Sequence, residues 1–163
     1  MQTTVTSHIR KGLFIAAALI ILNVIAQVLH QSFTVWHRLS FIVIFVLSII
    51  ISSIIFKKQS KETLPYNSLA VHNFKTSAVV ICIFFIYLIL AIYILFPQQF
   101  NFLIEQTVQQ AKLQGKSDAE IQQQIPVTKK VIAAYFLSTN LMLLLLTGLI
   151  SSLIGAAIAK QIN

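Results

Sequence analysis

Four long apolar runs organise the chain: 12–29, 39–56, 76–96 and 131–155, the last staying apolar to about Ala159. A helix that crosses a bilayer needs about 20 apolar residues. The second run is rich in Ile, Val and Phe, which also suits buried strands, but each run is too long for a strand. Extended to Ala159, the fourth run reaches roughly 43 Å at 1.5 Å per residue, so it tilts or projects beyond the hydrocarbon. The pattern predicts an all-α fold, an integral membrane bundle of four transmembrane helices forming one membrane domain over 1–163. Arg10 and Lys11 ahead of the first run, and Val24-Ile25-Ala26 within it, also fit a cleaved signal peptide. The run continues past that weak cleavage site, which favours a span.

Between the third and fourth runs the periodicity changes. Phe100, Ile104, Val108 and Ala111 recur at three- and four-residue spacing, one apolar helical face, with Gln106, Gln109, Gln110 and Lys112 between them. Gly115 is a C-terminal stop. Ser117-Asp118-Ala119-Glu120 then has the form of a capping box, in which Ser117 and Glu120 satisfy each other's amides. A short second helix is expected to about Gln124, ended by Pro126. Residues 97–130 therefore read as an extramembrane helical hairpin whose first arm lies on the membrane surface or packs on the bundle. The alternative is a solvated linker; the glutamine-rich composition between Gln98 and Gln124 suits either.

Composition sharpens the class. Hydrophobic residues make up 57% and charged residues 10%, against about 25% charged in an ordinary soluble domain. Mean hydropathy is +0.84. These values exclude a soluble globular enzyme, a disordered tail and a nucleic-acid-binding domain. The net charge of +8 is then read as positive-inside bias and attraction to anionic headgroups, not as affinity for nucleic acid. The single cysteine, Cys82, excludes an intramolecular disulfide and any multi-cysteine metal site.

Loop charges orient the chain. With the N-terminus inside, Arg10, Lys11, Lys57, Lys58, Lys61, Lys75 and Lys160 lie inside. Arg38, Lys112, Lys116, Lys129 and Lys130 then lie outside. Basic density in the short second connection favours both termini cytoplasmic, and Lys129-Lys130 beside the fourth run argues the other way. Trp36, Tyr93, Phe96, Phe100, Phe102, Tyr135 and Phe136 fall near the outer ends of the spans, where an interfacial aromatic belt belongs.

Several stretches resemble one family. These are Phe102-Leu103-Ile104-Glu105-Gln106, Gln114-Gly115-Lys116-Ser117-Asp118-Ala119-Glu120-Ile121, Phe74-Lys75-Thr76, and the closing run Thr147-Gly148-Leu149-Ile150-Ser151-Ser152-Leu153-Ile154-Gly155-Ala156-Ala157. In order and pattern they are similar to a bacterial four-helix membrane family known as domain of unknown function 4199. The likeness runs from the first span to the C-terminus. The chain departs from the family in having more Gln than Glu in the hairpin, and in Ser77 where a smaller residue such as Gly is expected. The resemblance implies the inner membrane of a Gram-negative bacterium and assigns no activity.

Candidate chemistry is sparse. Glu62, Glu105, Asp118 and Glu120 all lie outside the four runs, as do the basic residues apart from Lys160 at the end of the fourth. An ionisable group inside a span is the usual mark of an ion pathway, so their placement argues against a proton-coupled pump. Asn23 and Asn140 both fall in the outer halves of their spans, as an interhelical polar contact or, alternatively, part of a polar substrate site. Gly148, Ser152 and Ala156 form one small-residue row, and Ser151, Gly155 and Ala159 a second, for close helix packing within the chain or between copies. His30 and His37 share a short loop with no carboxylate or thiol nearby, so no metal is expected there; His8 and His72 lie on the opposite side. No phosphate loop, nucleophile elbow or His-Glu-x-x-His helix is present. Lys57, Lys58 and Lys61 read as a lipid-facing anchor.

The sequence thus points to a non-enzymatic multi-pass membrane protein without cofactor. Its expected partners are the lipid bilayer and either a second copy or another membrane protein, met through the Phe100, Ile104, Val108, Ala111 face. The alternative is a small channel or transporter subunit, its path lined by Asn23, Ser138, Thr139 and Asn140. A membrane enzyme is the third class, and it would require His30, His37 and Glu105 to converge.

Overall fold

A computed structural model describes residues 7–29, 31, 34–60, 64–115 and 117–162. All regular structure among them is helical: α1 (His8–Val28), α2 (Val35–Gln59), α3 (Tyr66–Leu90), a π-helical turn (Ala91–Leu95), α4 (Pro97–Leu113) and α5 (Asp118–Gln161). Four segments are long and apolar enough to cross a membrane: His8–Val28, Val35–Gln59, Tyr66–Leu95 and Ile125–Gln161. These contain or closely match the four apolar runs, and the third starts ten residues earlier than Thr76.

The helix ends follow from local chemistry. Ser7 caps α1 by accepting the Ile9 amide at 3.3 Å, and Thr34 caps α2 by accepting the His37 amide at 3.3 Å. Lys57 and Lys58 sit in the last turn of α2, where the exposed carbonyls favour cations. Pro97 ends the third segment. It bars the preceding residue from the helical region, and Phe96 takes φ −135° and ψ 50°. Its amide closes the π-helical turn on Ala91 O at 2.8 Å. After α4, Gly115 adopts φ +82°, and its amide bonds Lys112 O at 3.0 Å.

Pro126 departs from expectation. It does not end a short helix but lies inside α5, a single helix of 44 residues. Proline removes one backbone hydrogen bond and crowds one carbonyl, at about 3 kcal/mol. Here α5 is already formed for two turns before Pro126, and the apolar run carries it on for nine more. The remaining ladder of hydrogen bonds outweighs the single lost one.

The chain divides into two compact units, Met1–Phe84 with Leu143–Asn163, and Phe85–Met142. The first contains α1, α2, most of α3 and the end of α5. Helix ends alternate within it. His8 of α1 meets His72 of α3 edge-on at 6.3 Å, and Phe56 near the end of α2 stacks on His72 at 3.7 Å. Lys57 Nζ donates to the carbonyls of Lys160, in the last turn of α5, and Ile162, just after it. So the starts of α1 and α3 gather with the ends of α2 and α5. Leu69, Ala70, Ala156 and Ala159 form a buried apolar cluster at this end, flanked by Ile54, Phe56, Leu64, Tyr66 and Phe74. Phe45, Ile49, Leu19 and Val80 fill the rest of the unit without exposed surface.

The outward faces are apolar. Phe14, Ile21, Leu47, Ile51, Leu146 and Ile150 are all more than half exposed. A water-soluble domain does not present such a surface, and hydrocarbon accommodates it.

Glycine sets the approach of α1 to α3. A β-carbon on Gly12 would lie 2.7 Å from Val79 Cγ1 and 3.2 Å from Thr76 O. Gly12→Ala should therefore destabilise the purified protein by about 1–3 kcal/mol, read as a lower thermal midpoint in detergent. Adding Val79→Ala should restore little of the loss, because alanine keeps the Val79 Cβ, which would lie 2.8 Å from the new carbon. An unchanged midpoint in the single variant would contradict this packing.

Candidate functional site

The interior of the first unit is polar where its helices meet. On α3, Asn73 and Thr76 are fully buried and Ser77 nearly so; on α5, Ser151 and Ser152 are fully buried. Asn73 Nδ2 donates to Ser152 O at 3.0 Å, and the hydroxyls of Ser77 and Ser152 lie 3.1 Å apart. Ser151 and Ser152 also donate to Gly148 O, at 3.2 and 2.6 Å. Thr76 donates to His72 O at 2.9 Å. These bonds form a polar seam between α3 and α5.

The small residues of α5 make the seam possible. A β-carbon on Gly148 would come within 3.1 Å of Ile81 Cδ1 and 3.3 Å of Ser77 Cβ. On Gly155 it would come within 3.1 Å of Asn73 Nδ2 and 3.3 Å of Ile50 Cα. Ala156 and Ala159 are fully buried. Both small-residue rows thus face α2 and α3 of the same chain. Ser77 is itself a member of the seam.

At the end where α1 and α3 begin, the seam becomes cationic. Lys11 is 8% exposed; its ammonium donates to Ser52 O at 3.2 Å and lies 5.2 Å from the Phe56 ring centre. His72 is 7% exposed, held flat on Phe56 with an interplanar angle of 2°. Four buried polar atoms here have no hydrogen-bond partner: Ser52 Oγ, Ser53 Oγ, His72 Nε2 and Asn73 Oδ1. A cleft of about 380 Å³ opens at His72, lined by Ser7, His8, Phe56, Ser68, Val71, His72 and Lys75. Lys11 and His72 were expected outside the spans. Both lie within helices long and apolar enough to be spans, because α1 and α3 begin earlier than their apolar runs.

The remaining candidates are placed as follows. Asn23 is buried, its Nδ2 3.2 Å from His37 Nε2 on α2. Asn140, in the second unit, donates to Phe136 O at 2.7 Å, the carbonyl one turn earlier on its own helix. Ser138 and Thr139 are exposed. On α4, Ile104 is buried and Phe100, Val108 and Ala111 are half-buried, while Asn101, Phe102, Glu105, Gln106, Gln109 and Gln110 are exposed. The capping box is formed: the Glu120 amide donates to Ser117 Oγ at 3.3 Å, and the Ser117 amide to Glu120 Oε2 at 3.0 Å. Trp36, Tyr93 and Tyr135 are strongly exposed, as lipid-facing belt residues would be. His30, Lys61, Glu62 and Lys116 lie outside the described residues. Among the described residues no three His, Cys, Asp or Glu side chains converge.

Sequence reasoning passed over Lys11, His72 and Asn73. One signal for them was available. Asn73, Thr76 and Ser77 share a helical face with Val80 and continue the third span backwards, so polarity at the start of that run marked a buried face and not its end. Comparison with protein-family models, curated proteins and solved structures gave no match to the chain.

The hydroxyl pair of the seam can be weighed directly. A Ser77→Ala, Ser152→Ala double-mutant cycle in thermal unfolding should give a favourable coupling of about 0.6 kcal/mol and below about 2 kcal/mol. Zero coupling would remove the bond from the account of α3–α5 packing.

Proposed function

We propose that the chain is a non-enzymatic multi-pass membrane protein, both termini cytoplasmic, that works by partner contact through the helical hairpin 97–130 outside the membrane. The observation that carries this reading is the seating of α4. Its apolar stripe is turned inward at Ile104, and the turn after it is closed by left-handed Gly115 and the Ser117–Glu120 box. A connection needed only as a linker has no use for caps and an apolar stripe turned inward. In this reading the stripe anchors the hairpin, and the opposite face, with Phe102 53% and Leu113 88% exposed, is what a partner meets. The resemblance to domain of unknown function 4199 belongs to the same proposal, as does the bacterial inner membrane.

Two measurements test it. With Cys82→Ser as background, a single cysteine at Gln110 should react with a membrane-impermeant thiol reagent on intact cells, and one at Lys58 should not. The reverse pattern inverts the topology. Combined alanines at Phe100, Ile104 and Val108 should lower the thermal midpoint. Phe102→Ser with Leu113→Ser should leave the midpoint unchanged and release the proteins cross-linked to the hairpin in cells. If both variants retain every cross-link, the hairpin is not the contact surface.

One observation favours a second reading, a small channel or transporter subunit. Lys11 and His72 are buried inside candidate spans, where ionisable groups mark pathways for ions or substrates. Solute flux in proteoliposomes that is abolished by Lys11→Met, with the midpoint retained, would establish it over the first.

A further inference from the structure

The cationic end of the first unit has no described acid to balance it. Of the four carboxylates in the chain, Glu105, Asp118 and Glu120 belong to the second unit, and Glu62 lies outside the described residues. Buried charges are normally paired, because desolvation penalises a lone ion heavily. Lys11 has one backbone carbonyl and the face of Phe56 for company. An ammonium carries three donors, and that carbonyl uses one.

We propose that the cleft lined by Ser7, His8, Ser68, His72 and Lys75 binds an anionic phosphate group. Among the described residues, every polar side chain on its wall can donate a hydrogen bond, and none is a carboxylate. The His72 imidazole is more than nine-tenths buried, its Nε2 lacks a partner, and it forms part of the wall. The ring is stacked on Phe56 and meets the edge of His8. The 21-residue helix α1 begins at this wall. Ser7 Oγ satisfies only the Ile9 amide, which leaves the positive end of the helix toward the cleft. Lys11 lies one turn further along α1, outside the wall, with its ammonium 5.2 Å from the centre of the Phe56 ring that lines it.

Phosphate fits better than a planar carboxylate. Its tetrahedral oxygens can meet donors converging from two helices at once, here the start of α1 and the first turns of α3. The volume of about 380 Å³ also leaves room beyond the phosphate itself. Two sources offer this chemistry, an anionic lipid headgroup and free inorganic phosphate. The apolar parts of the wall, Phe56 and the half-exposed Val71, suit a phosphate with an attached glycerol and acyl chain. Arg10, Lys57, Lys58 and Lys160 at the same end would draw anionic lipid toward it. This inference goes beyond the hairpin reading and does not rest on it.

The test uses the full chain in nanodiscs of phosphatidylcholine alone, or with one-tenth phosphatidylglycerol or phosphatidic acid. Phosphatidylcholine nanodiscs with millimolar inorganic phosphate form the third arm, and chloride at equal ionic strength is the control. Thermal midpoint and native mass spectrometry of retained lipid are read together. Anionic lipid should raise the midpoint and be retained at least tenfold more than phosphatidylcholine. His8→Gln with Lys75→Gln, at the cleft mouth, should abolish both effects, whereas Lys58→Gln, exposed and outside the cleft, should preserve them. His72→Gln, provided its midpoint in phosphatidylcholine equals that of the parent, should weaken retention. A rise with inorganic phosphate and not with lipid assigns the site to the free ion. No rise in either arm, an equal rise with chloride, or an effect lost equally in Lys58→Gln would overturn the site.

Discussion

The first unit depends on how closely its backbones can approach. Helices as apolar as these gain nothing from hydrophobic transfer when they leave hydrocarbon for one another. Their association rests on dispersion and on polar bonds that need short distances. Gly12, Gly148 and Gly155 supply the distance, each at a point where one added carbon would meet a neighbour at 3.1 Å or less. The Asn73–Ser152 bond follows directly, since its carbonyl belongs to the backbone beside Gly148 and Gly155. The packing and the polar seam are one arrangement.

That arrangement inverts the usual distribution of polarity. Serine, asparagine, histidine and lysine lie inside, and Phe14, Leu47 and Leu146 face out. In water this would fail. In hydrocarbon a polar side chain has no solvent to return to, so bonds directed at other helices stabilise the unit even when each is modest. Pro126 is a separate case, one lost backbone hydrogen bond in a helix of 44 residues.

The two units differ in their acids. The described acids belong to Phe85–Met142, while Lys11 and its neighbours belong to the other unit. Loop density had suggested an anchor of surface lysines on the basic end. The burial of Lys11 makes that end more specific: it holds a charge inside the protein as well as on its rim, near a cleft whose polar wall residues can donate hydrogen bonds.

Much of this protein is written in local patterns. The four apolar runs, the Gly115 stop, the Ser117–Glu120 box and the inward bias of the α4 stripe depend on residues within a turn or two of each other, and hydrophobic periodicity carries them. The small rows of α5 were visible too, but not what they face. Three features needed the tertiary structure. Pro126 reads as a stop when judged by its neighbours and is overridden by a helix 44 residues long. His72 and Asn73 precede the apolar run they belong to, and become interior only because Ser152, Phe56 and Gly155 arrive from far along the chain. Lys11 resembles a flanking loop charge until Ser52 O and Phe56 close over it. Sequence determines which segments are helical and which would enter a bilayer, because those follow from short-range periodicity and composition. Which polar groups end up enclosed was decided by the close approach of four helices, a relation between residues as much as 79 positions apart.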